Sequence, residues 1–597
     1  MYTTLHKYFG YKEFRTLQED IIKDVLDQKD TFVVMPTGGG KSLCYQLPAL
    51  LMDGVTIVVS PLISLMKDQV DGLRSNGISA AYLNSTLDYL ESNQICNDLL
   101  NNRIDVLYIT PERLTMSKTL KFLKTVKINL FAIDEAHCIS EWGHDFRPEY
   151  LKLNMLKNKF PDIPLIALTA TATPRVQNDI ISLLELGDCS RYISSFNRDN
   201  LYYEVRPKKE AYNQMVRYLK THRKYSGIIY CQSRRTVEDL YNKLKREGFR
   251  VLPYHAGLPA SIREENQESF IKDDVQIMVA TIAFGMGINK PNVRFVIHYD
   301  LPKNLESYYQ QTGRGGRDGL DCDCILFFSY GDKYKIEYFI DQKTTKSERD
   351  IAFSKLRKMI NYCESNICRR KLLLNYFGEN FDEQNCGKCD VCLEPREMVD
   401  GTEVAKIFLK CVDELNQKYG LNHVADVLAG SKNKKIINKQ HDLLGSYGGG
   451  HKYTKSQWID IGKELLHKGI LDVKGGQYPV LKLNQKSHDL LSGQENVQLT
   501  KSVEYPSNDI SDKSPDETDN RLFERLRKLR KKLADSENKP PYIIFADTSL
   551  KQMAARCPKT YDEFLKISGV GEYKLEKYGD MFLAEIIDHC KSESIDS

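Results

Sequence analysis

Short apolar runs separated by longer amphipathic stretches dominate the first 335 residues. The runs at 31–35, 55–60, 106–110, 130–133 and 165–169 are rich in β-branched side chains, and helix-length segments lie between them. Strands that pair in parallel need crossover connections of a dozen or more residues, usually helices, and are apolar on both faces. The pattern therefore predicts an α/β unit with a parallel sheet over residues 1–200. It recurs at 227–231, 276–281 and 295–299, which predicts a second such unit over 201–335.

Beyond residue 335 the strand pattern fades. Helical periodicity continues through Glu364 and leads into a cysteine cluster, so 336–398 reads as a helical module. Residues 399–497 read as a small α+β unit. The stretch 496–520 is polar and poor in apolar residues, which predicts a linker over 498–518. Helical patterning returns over 519–597 and predicts a separate small helical domain. The longest apolar region, 47–66, is interrupted by Asp53 and Pro61, so it reads as helix end, strand and next helix rather than a membrane span. The opening MYTTLHKYFGYKEF has no basic segment followed by an apolar one, so no signal peptide is expected.

Composition changes this picture little. With 597 residues, 41% hydrophobic and 28% charged, the chain is ordinary globular protein in several domains. A net charge of +4 neither requires nor excludes a nucleic-acid partner, so local clusters must decide. Fifteen cysteines, an odd number and mostly scattered, fit a reducing cytosol better than a disulfide framework.

The candidate chemistry begins at MPTGGGKS, residues 35–42. It follows an apolar strand and precedes a helical stretch starting near Leu43. Thr37, Gly38, Gly39 and Gly40 let the backbone curl so that several N–H groups face one phosphate. Lys41 is placed to reach the β- and γ-phosphates of ATP, and Ser42 to ligate Mg²⁺. Met35 stands where the general motif has glycine. In IDEAHCIS, residues 133–140, a strand delivers Asp134 and Glu135 to its C-terminal end. Asp134 is placed to hold Mg²⁺ through water, and Glu135 to orient the attacking water. Farther on, YYQQTGRGGRDG (308–319) carries Arg314 and Arg317, whose spacing of three suits one helical face.

Two further clusters point to metal and nucleic acid. Cys368, Cys386, Cys389 and Cys392 have the spacing C-x17-C-x2-C-x2-C, which suits a closed tetrahedral Zn²⁺ site. Cys363 competes for the first ligand position, and an iron–sulfur cluster is the rival occupant. Between Gly430 and Lys455 six lysines, among them Lys432, Lys434, Lys435 and Lys452, face one acid, Asp442. Such a patch suits phosphate contact on duplex DNA. VKGGQYPVLKL, 473–483, reads as a hairpin with Gly475-Gly476 at its tip.

Taken in order, these motifs resemble the RecQ helicases of superfamily 2. DEAH and HCISEWGHDFRPEY (137–150) carry the resemblance most sharply. It implies that Trp142, Phe146 and Arg147 sense single-stranded DNA and couple it to ATP hydrolysis; an exposed aromatic can stack on any base. FGYKEFRTLQ (9–18) resembles the adenine-recognition motif, with Gln18 on the base edge and Arg15 or Lys12 nearby. SPLISLMKDQ and TPER resemble DNA-backbone motifs, and TATAT (169–173) the motif linking hydrolysis to domain movement. The resemblance makes Arg317 the arginine finger, supported by Arg314 with Gln310 alongside. CRRKLLLNYFGE selects Cys368 over Cys363 and zinc over iron–sulfur. Helicases commonly share the departure at Met35. The family fold is two tandem RecA-like domains followed by a zinc module, a winged helix over 399–497 and an HRDC domain over 519–597.

The resemblance implies an ATP-driven helicase moving 3′ to 5′ in recombination, repair and replication restart. It implies single-stranded and duplex DNA and a single-strand-binding protein as partners, no membrane, a monomer, and a nucleoid-associated place in the cytoplasm of a bacterium. An RNA helicase of the same superfamily and a DNA-binding scaffold with a degenerate motor are the competing readings. The aromatic loop and zinc cluster argue against the first, and intact Lys41, Asp134, Glu135 and Arg317 against the second.

Overall fold

Strands Val55–Val59, Ile128–Ile133, Leu165–Thr169 and Thr31–Val34 are buried along their whole length, as continuous apolar runs require. They form the centre of a seven-stranded sheet in the computed structural model. Its order is Ala80–Leu83, Val106–Ile109, Val55–Val59, Ile128–Ile133, Leu165–Thr169, Thr31–Val34, Ser190–Ile193, with every pairing parallel. The second sheet has six parallel strands in the order Val251–Tyr254, Ile277–Ala280, Ser226–Tyr230, Val293–His298, Cys322–Phe328, Leu201–Pro207. The structure describes residues 1–84, 87–143, 145–285, 290–383, 385–394, 398–450, 452–474, 480–500 and 521–593.

Five of these strands escape the pattern of apolar runs: Ala80–Leu83, Ser190–Ile193, Leu201–Pro207, Val251–Tyr254 and Cys322–Phe328. Four of the five are sheet edges, which pair on one side only. Of these, Ser190–Ile193 alternates between half-buried and exposed positions, so it offers no apolar run to read.

The chain divides into two compact units. One comprises Met1–Phe328, Leu374–Phe381 and Asp512–Ser597, so it holds both sheets and the C-terminal helices. Those helices are Arg521–Ser536, Pro541–Ile544, Asp547–Arg556, Tyr561–Phe564 and Glu572–Glu593. They enclose a core of their own around Leu526, Phe545, Met553, Phe564 and Phe582. This small domain also packs against the rest of its unit. The Gly569 N–H donates to the Gly10 carbonyl at 3.3 Å, Lys531 pairs with Asp274 at 2.6 Å, and Arg294 meets Asp547 at 3.3 Å. Close backbone approach at glycines and complementary charge hold it against both sheet domains. The glycine turn at Gly569 and Gly571 packs closely against Gly10 of the N-terminal segment.

The other unit comprises Ser329–Leu373 and Asp382–Ser511. Helices Tyr330–Asp341 and Lys346–Glu364 lead to the cysteine cluster. The helices Thr402–Glu414, Leu421–Leu428 and Lys455–His467 then surround Trp458, whose indole N–H donates to the Gly450 carbonyl at 2.9 Å. Strands Leu471–Lys474 and Val480–Leu483 pair antiparallel, as the predicted hairpin requires; its Gly475-Gly476 tip lies outside the described residues. No helix among the described residues is long and apolar enough to cross a membrane.

Candidate nucleotide and nucleic-acid sites

The phosphate loop connects strand Thr31–Val34 to helix Leu43–Leu51. Gly38 and Gly40 have φ of +80° and +86°, a region that L side chains rarely adopt. Two neighbours and the loop's own lysine hold it. Arg15 Nη1 donates to the Gly38 carbonyl at 2.5 Å, and Gln18 Nε2 to the Gly40 carbonyl at 3.1 Å. The Lys41 ammonium donates to the Met35 carbonyl at 3.5 Å, and Ser42 lies at the mouth of the helix. Of the two cations offered near Gln18, Arg15 is the one brought to the loop; Lys12 is exposed on the same segment.

Asp134 and Glu135 follow the buried strand Ile128–Ile133. Burial first, then repulsion from Glu135, pushes the Asp134 carboxyl up to about 6, against the pull of Lys41. Glu135 adopts the left-handed region at φ +49° and lies 3.3 Å from His137 Nδ1. Burial disfavours charge on His137, but Cys138 and Glu135 outweigh it and push the ring up to about 10. The same Nδ1 and Thr169 Oγ1 are hydrogen-bonded at 2.9 Å. His137 thus joins the acidic pair to the TATAT turn, a role its sequence position did not announce.

Arg314 and Arg317 do not share a helical face. Helix Leu305–Thr312, which buries Gln310, ends before them, because Gly313, Gly315 and Gly316 carry the chain into successive turns. On those turns Arg314 is buried, and Arg317 reaches the phosphate loop. The Arg317 side chain passes 3.4 Å from where a Cβ on Gly38 would sit. Burial, together with Arg314 and Arg198, pushes Arg317 down to about 9, while Glu135 works the other way. Three guanidiniums crowding one another beside a phosphate loop form a site that a polyanion would relieve.

Arg198 was not legible in the sequence, where it looks like a polar turn between two domains. In the structure it donates to the carbonyls of Thr37 at 2.7 Å, Gly315 at 3.0 Å and Gly316 at 2.8 Å.

In the loop after the acidic pair, Trp142, Phe146 and Arg147 are each half-buried rather than fully exposed. Trp142 packs against the first sheet's core, and the Arg175 guanidinium lies 3.3 Å from its ring centre. Arg147 donates to the Pro61 carbonyl at 2.8 Å and pairs with Asp145 at 3.3 Å. The loop is therefore tied to SPLISLMKDQ.

The sulfurs of Cys368, Cys386, Cys389 and Cys392 all lie within 4.8 Å of one another; Cys363 is buried apart from this group. A tetrahedral zinc ion with bonds of about 2.3 Å spaces its sulfurs about 3.8 Å apart, so the set fits zinc. Arg369 and Asp390, next to Cys368 and Cys389, form a two-pronged ion pair at 2.9 and 3.1 Å that locks the ligand segments together. Lys432, Lys434, Lys435 and Lys452 are all exposed, whereas Lys455 pairs with Asp426 at 2.6 Å.

Two parallel-sheet domains, one holding a phosphate loop and an acidic pair and the other presenting arginines to it, define a nucleotide-driven motor. Family models match the chain in series: DEAD/DEAH box helicase at 15–180, helicase conserved C-terminal domain at 208–319, RecQ zinc-binding at 330–393, RQC domain at 395–508 and HRDC domain at 519–586. The chain is 43% identical over 592 residues to the ATP-dependent DNA helicase RecQ of Haemophilus influenzae, covering 98% of this chain and 96% of that one. It is 41% identical over 584 residues to the enzyme of the same name from Bacillus subtilis, covering 98% and 97%. The chain belongs to the RecQ family of ATP-dependent DNA helicases.

Proposed function

We propose that this chain separates DNA strands by moving 3′ to 5′ along one of them, with ATP hydrolysis driving each step. The observation that carries this reading is the meeting of Arg317 with the phosphate loop at Gly38 across the cleft between the two sheets. Lys41 and the loop amides bind the phosphates, and Gln18 with Arg15 holds the adenine. Glu135 orients the attacking water, and Arg317, supported by Arg314 and with Gln310 alongside, stabilises charge on the γ-phosphate. Ser42 and Asp134 would hold Mg²⁺, which neutralises phosphate charge when bound. Opening and closing of the cleft converts hydrolysis into movement.

Trp142, Phe146 and Arg147 contact the translocating strand, and Lys432, Lys434, Lys435 and Lys452 contact duplex phosphates. Zn²⁺ on the four cysteines is structural. The domain limits at 200, 335, 398, 497 and 518, action as a monomer, partnership with a single-strand-binding protein, and a cytoplasmic, nucleoid-associated site in recombination and repair belong to the same reading.

Strand displacement on duplexes with a 3′ or a 5′ single-stranded tail tests it. ATP-dependent unwinding of the 3′-tailed duplex alone is expected. K41A should bind DNA but neither hydrolyse ATP nor unwind. Stronger ATPase stimulation by RNA than by single-stranded DNA would replace this reading with the RNA-helicase one.

A further inference from the structure

We propose that Arg175 is a positioning residue for the strand sensor: it parks Trp142 when no DNA is bound, and a base must displace it before ATP turnover rises. This rests on the reading of Trp142 as the residue that meets single-stranded DNA.

The contact itself is specific. The Arg175 guanidinium carbon sits 3.3 Å from the Trp142 ring centre, the separation of two stacked planes. A guanidinium is flat, cationic and weakly hydrated, so it covers an indole face much as a nucleobase does. The two compete for one surface. Arg175 itself is exposed, whereas Trp142 is half-buried and packed on the core of the first sheet. The arginine can therefore leave while the indole's seat remains.

A second pair of bonds holds the same loop to the same helix. The Trp142 N–H donates to Ser140 Oγ at 3.1 Å, and Ser140 Oγ donates to Asp179 at 2.6 Å. Arg175 and Asp179 are four apart on helix Pro174–Leu183 and so share one face. This helix grows directly out of the TATAT turn. Within that turn Thr169 Oγ1 accepts the Thr171 N–H at 3.3 Å and bonds His137, which contacts Glu135. The helix thus touches the sensor in its first turn, and its root is linked through His137 to the residue assigned to the attacking water. Exchange of Arg175 for a base changes what that helix holds, three contacts from Glu135. Arg175 acts through Trp142 and touches neither nucleotide nor reacting atoms.

The chain has two tryptophans, and Trp458 is fully buried in the other unit, which makes emission from Trp142 separable by a W142F control. The experiment uses the full chain, an oligothymidylate as probe, and three variants: R175A, R175K and W142F. Removing the stacked cation is expected to change the DNA-free emission of Trp142. R175A is expected to raise DNA-free ATPase, and to lower the oligothymidylate concentration for half activation, by about two- to five-fold each, the size of an exposed cation–π contact. The rate at saturating DNA should stay within about two-fold of wild type. R175K, a cation without the plane, should fall between. Unchanged emission and unchanged DNA-free rate in R175A overturn the proposal, as does loss of the DNA-saturated rate. If W142F itself responds to DNA like wild type, the reading of Trp142 as sensor fails. If W142F loses activation while R175A matches wild type, only the role of Arg175 fails.

Discussion

Arg198 donates a hydrogen bond from Nη1 to the Thr37 carbonyl at 2.7 Å, while its Nη2 reaches the Gly316 carbonyl at 2.8 Å. One guanidinium therefore ties the phosphate loop to the turns that carry Arg314 and Arg317. Thr37 Oγ1 adds a direct bond to the Gly313 carbonyl at 2.9 Å. A misplacement of about 1 Å between reacting groups can cost about 100-fold in rate, so spacing across this cleft matters more than affinity. R198A is expected to lower kcat for DNA-stimulated ATPase by about 10- to 100-fold, with nucleotide affinity changed far less. Steady-state kinetics alongside binding of a fluorescent nucleotide separates the two. Equal losses in both would assign Arg198 to nucleotide binding instead.

Gly10 joins the N-terminal segment to the C-terminal helical domain. Its φ is +72°, and a Cβ there would come within 3.0 Å of the Gly569 carbonyl carbon and the Gly571 nitrogen. A left-handed alanine costs about 1 kcal/mol, and overpacking adds about 1–3 kcal/mol. G10A should release the C-terminal domain while leaving its own core intact. Faster proteolytic cutting within 498–518, with both fragments still folded, is the expected result; cutting at the wild-type rate would show that the contact contributes little.

Asp68 has a buried Oδ2 without a hydrogen-bond partner among the described residues. Burial and then Asp71 push its carboxyl up to about 7, against Lys67 and Arg317. A carboxyl raised in the folded chain keeps its proton where the unfolded chain, at about 3.9, has lost it. Its contribution to stability is therefore lost as pH rises from about 4 through about 7. D68N keeps the neutral form at every pH. Thermal unfolding should show a smaller drop between about pH 5.5 and about pH 8 for D68N than for wild type. Parallel pH profiles would remove Asp68 as the cause.

Cys389 is fully buried at the centre of the sulfur cluster, 4.0 Å from the Cys368 sulfur. Structural zinc contributes folding free energy directly, and three sulfurs hold it far less well than four. C389S should purify with little zinc, where the wild type carries about one equivalent per chain, and its unit should unfold at lower temperature. C363S should retain its zinc. Elemental analysis with thermal unfolding checks both, and zinc loss in C363S rather than C389S would reassign the ligand set.

Much of this protein is determined by local sequence. Continuous apolar runs mark the central strands, because a strand covered on both faces has no polar positions to spare. The glycines of 37–42, the Asp134-Glu135 pair and the two-residue gaps between cysteines also read directly, since each is short-range chemistry held within one loop. The tertiary structure decided what long-range contact decides. Edge strands such as Ser190–Ile193 are strands only because a neighbour pairs with them. Arg317 meets the phosphate loop from a turn rather than a helix, and Arg198 gains meaning only where two sheets bring its acceptors together. The pairing of Trp142 with Arg175, and the seating of the C-terminal helices on Gly10, join residues 33 and more than 500 positions apart. No local pattern encodes such contacts, because their energy depends on packing that exists only once the chain has folded.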